Sequence, residues 1–219
     1  MSNGFVPKPR VKNALDNTKL QLKAPTPGCP GKTAALIWGL IANNPRITVF
    51  TNDPSEESES KGYGKISANL DLPTFMVFLN LINKSIASPT ECKFKIENKN
   101  FTFFGGKRSE KPAVVSELHA GRDADGMIWI SVTAPSNQNR PRIRFYFQLS
   151  DYHCLVNGDG TPFSAAETSL MAAKGYVDLL SEMMTNMAAN NYVEPPVKDG
   201  AKKPYGGQAP AAADGDLPF

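Results

Sequence analysis

Soft metal ligands are scarce in this chain. Its 219 residues include three cysteines, Cys29, Cys92 and Cys154, and two histidines, His119 and His153. The cysteines are far apart and no C-x-x-C pair exists, so the about four closely spaced ligands of a zinc site are not supplied. His153 and Cys154 are chain neighbours, which on a strand point to opposite faces, and they read as filler rather than nucleophilic machinery. No apolar run approaches the roughly 18 residues that span a bilayer. Met1-Ser2-Asn3-Gly4 lacks the charged-then-apolar layout of a signal peptide, so a cytoplasmic protein without a membrane partner is expected. Paired carboxylates in a cleft, triad partners and a dinucleotide fingerprint are missing too. No catalytic residue, metal or cofactor is expected, and the chain reads as a non-enzyme.

One near-miss has to be weighed. Thr26-Pro-Gly-Cys-Pro-Gly-Lys-Thr33 ends in Gly31-Lys32-Thr33, but a phosphate-binding P-loop needs glycine where Thr26 stands. Pro27 and Pro30 remove amides that would cradle phosphate. An ATP- or GTP-binding protein is therefore an alternative, not the first reading.

The charge is unevenly spread. Overall it is +3, yet between Lys61 and Ser150 thirteen basic residues stand against seven acids, a local excess of six. A basic body with acidic appendages is the electrostatic footprint of a polyanion binder.

Residues 1–17 read as a flexible arm, 18–192 as the folded domain, 193–213 as a disordered linker and 214–219 as a separate tip. Lys19 to Lys23 alternates as a strand. The apolar run Ala34 to Ile41 is open to helix or strand. Asn43-Asn44-Pro45 marks a turn, and Arg46 to Thr51 is β-prone, so the two runs look like a hairpin. Asp53 to Ser60 is an acidic loop, and Gly64 to Leu70 a further strand. Pro73 can open a helix, with Phe75, Phe78, Leu79, Ile82 and Ile86 at helical spacing and Pro89 beyond its end. Strands return at Glu91–Ile96, Asn100–Phe104, Ala113–Ala120, Met127–Ala134 and Arg140–Gln148. Asn98 to Asn100, Asp123 to Gly126 and Ser136 to Asn139 carry turn chemistry. Ser164-Ala-Ala-Glu167 is a capping box for a final helix with an apolar face through Leu170, Ala173, Val177, Leu180, Met184 and Met187.

Alternation places Arg140, Arg142, Arg144, Tyr146 and Gln148 on one strand face, with Ile143, Phe145 and Phe147 toward the core. Guanidinium groups beside a tyrosine ring offer phosphate pairing and base stacking. Lys93 and Lys95 repeat the pattern over Phe94 and Ile96. Lys61-Gly-Tyr63-Gly-Lys65 and Phe103-Phe-Gly-Gly-Lys107-Arg108 read as flexible, basic, aromatic loops. Trp38 and Trp129 lie in apolar runs and read as core. The candidate nucleic-acid contacts are thus Tyr63, Lys65, Lys93, Lys95, Phe103, Lys107, Arg108, Arg140, Arg142, Arg144 and Tyr146.

From Glu194 to Ala213 the chain is rich in Pro, Gly and Ala and cannot bury enough surface to offset its ordering entropy. It leads to Asp214-Gly-Asp216-Leu217-Pro218-Phe219. An aromatic ring, a free carboxylate and flanking acids offer a partner an apolar, a basic and an electrostatic contact at once. This tip resembles the C-terminal peptide of bacterial single-stranded DNA-binding proteins, which end in several acids and Ile-Pro-Phe, and the acidic, Phe-ending tails of phage ones. It departs from the bacterial form in having only Asp214 and Asp216, split by Gly215, and Leu for Ile. The resemblance implies single-stranded DNA as ligand, replication or recombination proteins as tail partners, and a host cytoplasm for a phage-encoded chain. Self-association stays open.

The expected fold is α+β, mostly antiparallel strands with two packed helices. Four strands then a helix, repeated, resembles the Whirly-type single-stranded DNA-binding fold. The alternative is an elaborated OB-fold barrel. A non-enzymatic structural or scaffold protein is the remaining rival reading.

Overall fold

The computed structural model describes residues 13–41, 43–56, 64–135 and 140–194, apart from the side chains of Phe103 and Phe104. Tyr63, the turn at 136–139 and the tip residues Asp214, Asp216, Leu217, Pro218 and Phe219 lie outside the described residues. So do residues 1–12 of the expected arm and 195–213 of the expected linker.

Strands β1 (Leu22–Pro25), β2 (Thr33–Ile41), β3 (Asn44–Phe50) and β4 (Lys65–Asn69) form an antiparallel sheet in chain order, followed by helix α1 (Leu72–Ala87). Next come β5 (Cys92–Asn100), a small ribbon of β6 (Phe103–Phe104) and β7 (Lys107–Arg108), then β8 (Ala113–Arg122), β9 (Ile128–Thr133) and β10 (Phe145–Tyr146). The second sheet has the order β10-β9-β8-β5, and α2 (Ala165–Asn190) closes the described fold. With the ribbon set aside, the order is four strands and a helix, twice. Among the described residues the protein is α+β with antiparallel sheets and two helices. The OB-fold alternative is not realised among the described residues, because the strands divide into two four-stranded sheets instead of one closed barrel.

Local chemistry explains most boundaries. The run left open at Ala34 to Ile41 is a strand, because it lies between β1 and β3 and pairs with both. Its hairpin turns one residue earlier than expected. Ile41 is opposite Asn44, and Asn43 takes φ 68°, a left-handed conformation that Asn tolerates. Asn98 to Asn100 is not a turn: β5 runs through it, paired with β8, with a register shift between Asn98 and Lys99 absorbing the irregularity. The expected loop at Phe103 to Arg108 is a tight hairpin. Phe104 pairs with Lys107, and Gly105 and Gly106 take φ 55° and 78°, the positive angles of a two-residue turn. Residues 13–17, expected within the flexible arm, are ordered into the fold: Leu15 is buried in a short helical turn capped by Asn13.

Both helices start as their sequences indicate. The Asp71 carboxylate accepts the Thr74 amide at 2.7 Å, and Ser164 and Glu167 form the reciprocal capping box of α2. Phe75, Phe78, Leu79 and Ile82 of α1 are buried with Ala173, Val177, Leu180 and Met184 of α2. Helix α1 packs on β5, β8, β9 and α2, while β4 packs on β8 and β9, so both sheets and both helices share one core. Trp38 lies within it, its Nε1–H donating to the Leu20 carbonyl at 3.1 Å. Among the described residues no helix is long and apolar enough to cross a membrane.

The two faces of α2 make a direct test. Leu180 is fully buried and Met171 is 57% exposed. Leu180→Ala should destabilise the protein by about 2–5 kcal/mol in chemical denaturation. Met171→Ala should stay within about 0.5 kcal/mol of wild type.

Candidate nucleic-acid interface

The register of the second sheet sets its outer face. Opposed residues across β5, β8 and β9 form the rows Glu97–Glu117–Thr133, Lys95–His119–Ser131 and Lys93–Gly121–Trp129, and Tyr146 of β10 extends the last. The alternate rows, such as Phe94–Ala120–Ile130–Phe145, turn to the core. Above the outer rows lies a groove of about 600 Å³, with Arg142 and Arg144 joining Lys93, Lys95 and the β8 and β9 side chains around it. The segment before β10 follows the expected alternation. Ile143, Phe145 and Phe147 are buried while Arg142 and Arg144 are exposed, although only Phe145 and Tyr146 are paired as strand.

The groove is not uniformly basic. Lys95 Nζ lies 2.8 Å from Glu117 Oε1 and 3.0 Å from Glu97 Oε1, and Lys99 also pairs with Glu97 at 3.2 Å. These bonds to Glu117 and Glu97 raise the Lys95 pKa, and those from Lys95 hold both carboxylates below their ordinary range. Lys95 thus brings less free charge to the groove than Lys93 or the two arginines.

His119 lies deeper, 6% exposed. Its Nε2 is 3.3 Å from both Glu117 Oε2 and Thr133 Oγ1. Burial, with Lys93 and Lys95 nearby, lowers its pKa against the opposing pull of Glu117. The neutral ring donates from Nε2 to the carboxylate, which leaves Nδ1 as an acceptor. That Nδ1 and the Nε1–H of Trp129 are the two buried side-chain polar atoms without a hydrogen-bond partner among the described residues. Both belong to residues lining the groove. Burial pushes the Tyr146 phenol up, and Asp123 adds to this while Arg144 opposes it.

The remaining candidates lie elsewhere. Arg140 donates from Nη1 to the Lys65 carbonyl at 3.2 Å, tying the segment before β10 to β4. Lys107 and Arg108 sit on the β6–β7 ribbon with the backbone of Phe103, and the Arg108 guanidinium lies 3.4 Å from the Phe101 ring centroid. Among the described side chains, none of these lines the groove. Lys93, Lys95, Arg142 and Arg144 are brought together; Lys65 with Arg140, and Lys107 with Arg108, form two other basic places.

Trp129 is buried, as its apolar run indicated, but it stands outside the apolar cluster that its neighbours join. It is 4% exposed but faces outward, because core-facing Ile128 and Ile130 flank it. The alternation in Ile128-Trp-Ile-Ser-Val-Thr133 carried this signal, as it did for Ser131 and Thr133. Gly121 and His119 were also missed, and only the pairing of β8 with its neighbours reveals them. Gly31-Lys32-Thr33 falls in the β1–β2 hairpin and leads into a strand, not a helix N-terminus. The amides of Cys29 and Lys32 bond within that loop, to Thr26 and Cys29 carbonyls. His153 and Cys154 are exposed on the surface.

No family model matches this chain, and neither the curated proteins nor the solved structures give a match.

The lysine–carboxylate network makes stability depend on pH. A carboxylate held below its unfolded pKa stabilises the fold at neutral pH, and that contribution is lost as pH falls through the depressed value. Wild type should therefore melt higher than Glu117→Gln at pH 7. The difference should close below pH 4.5, the ordinary value for this group. A constant difference down to strongly acid pH would show that Glu117 acts by packing alone.

Proposed function

We propose that this chain is a sequence-independent single-stranded DNA-binding protein that coats and protects DNA during replication or recombination, in a phage setting. The observation carrying the reading is the convergence of Lys93, Arg142 and Arg144 on one groove that also holds an indole and an imidazole. Cations pair with phosphates, and flat rings with unpaired donors and acceptors are suited to bases. A groove on an open sheet face accepts a flexible single strand more readily than a duplex, whose bases are already stacked and paired. The Lys65–Arg140 and ribbon clusters would extend the phosphate track. The tip Asp214 to Phe219 would recruit partner proteins, with Phe219 as anchor.

A nucleotide-hydrolysing reading finds little support in a Gly-Lys-Thr sequence set in a β-hairpin, since phosphate cradles of that kind use a helix N-terminus. An ATP-induced thermal shift lost in Lys32→Ala would revive it.

The test is a titration against oligo-dT and duplex of equal length over a range of salt. Oligo-dT should bind much more tightly, with affinity falling steeply as salt rises. Arg142→Ala with Arg144→Ala should weaken binding by at least about tenfold. Removing Asp214 to Phe219 should leave it intact. Equal affinity for single strand and duplex would sink the proposal.

A further inference from the structure

We infer that Trp129 is a covered platform for a nucleobase, exposed when Arg144 exchanges the indole ring for a DNA phosphate; this rests on the single-stranded DNA reading. The geometry at Gly121 comes first. A Cβ there would lie 2.7 Å from Trp129 Cζ2 and 2.5 Å from the Cys92 carbonyl oxygen. Any side chain would push the indole off the sheet, so the glycine lets the ring lie directly against the backbone of β8. This fixes the ring's position without enclosing it in the core: Trp129 stands outside the apolar cluster that Ile128, Ile130 and Val132 join.

What covers the ring is a cation. The Arg144 guanidinium carbon lies 4.6 Å from the ring centroid, at the end of a long, exposed side chain that lines the same groove. A cation over an aromatic face is a weak contact compared with a charge-assisted bond to phosphate. Arrival of a nucleotide offers both partners at once. Arg144 can turn to the phosphate, beside Arg142 and Lys93, while the base takes its place on the ring.

The unpartnered atoms are the second, independent observation. Trp129 is 4% and His119 is 6% exposed, and the Nε1–H donor of one and the Nδ1 of the other have no hydrogen-bond partner among the described residues. Buried polar atoms are rarely left so, and two on residues that line one groove are suited to a ligand carrying its own donors and acceptors. A base edge has both, whereas a bare phosphate chain has acceptors alone.

Trp38 makes the experiment clean. It is the other of the two tryptophans, sealed in the core and already hydrogen-bonded, so its emission should not respond to ligand. The full chain is titrated with a thymidine oligomer of about twenty nucleotides and with an abasic oligomer of equal length, following tryptophan emission and the anisotropy of labelled oligomers. Wild type should bind the thymidine oligomer at least about tenfold more tightly than the abasic one, with quenched emission. Trp129→Phe should still bind but lose the quenching, and Trp129→Leu should bring the two affinities to about the same value. If Trp129→Leu does not fold, the wild-type comparison decides alone. Tight thymidine binding with unchanged emission, or equal affinity for the abasic oligomer, would overturn the inference and leave the DNA-binding reading standing. Binding of neither oligomer would overturn both.

Discussion

Every residue of β9 is buried, although only alternate ones face the core. Ile128, Ile130 and Val132 anchor the strand against the helices and the first sheet, and the two-residue period then forces Trp129, Ser131 and Thr133 to the other side. There they form a floor with His119 and Gly121 of β8. The rest of the groove depends on this arrangement. A register slip of one residue would send the isoleucines outward and bring Trp129 inward, so the packing that holds the core together also sets the face of the groove. Ser169 of α2 reinforces the register from the inner side, accepting the Ile128 amide at 3.0 Å.

Charge is arranged over this floor in two tiers. Arg142 and Arg144 project from an irregular segment that only joins the sheet at Phe145, which leaves their side chains long and exposed over the groove. Lys95 is instead held in the sheet by Glu97 and Glu117. The carboxylates keep the floor from being an indiscriminate cation surface, and through Glu117 they also orient His119.

Much of the fold was legible in local patterns. The capping box at Ser164, the helical stripe from Phe75 to Ile82 and the alternation from Arg142 to Phe147 each combine a strong period with a boundary residue. Weaker signals misled where pairing competed with local preference. Asn98 to Asn100 has the composition of a turn, but a long partner strand carries β5 through it with one register shift. Phe103 to Arg108 has the composition of a mobile loop, yet two adjacent glycines close it into a hairpin. Leu15 looked like part of an arm because a single leucine has no period; its burial comes from contacts with distant residues.

The sequence by itself determined which side chains face together within one strand, because strand geometry fixes alternation without reference to neighbours. It therefore showed Lys93 with Lys95, and Arg142 with Arg144. Only the tertiary structure decided which strands lie side by side, and hence that these two pairs share a groove while Lys65, Arg140, Lys107 and Arg108 do not line it. It also decided on which face of the sheet the buried Trp129 lies, which its apolar neighbours left unread. Position relative to Gly121 and Arg144 depends on the registers of β8, β9 and β10. Those registers are set by side-chain packing between segments far apart in the chain, which no single stretch of sequence encodes.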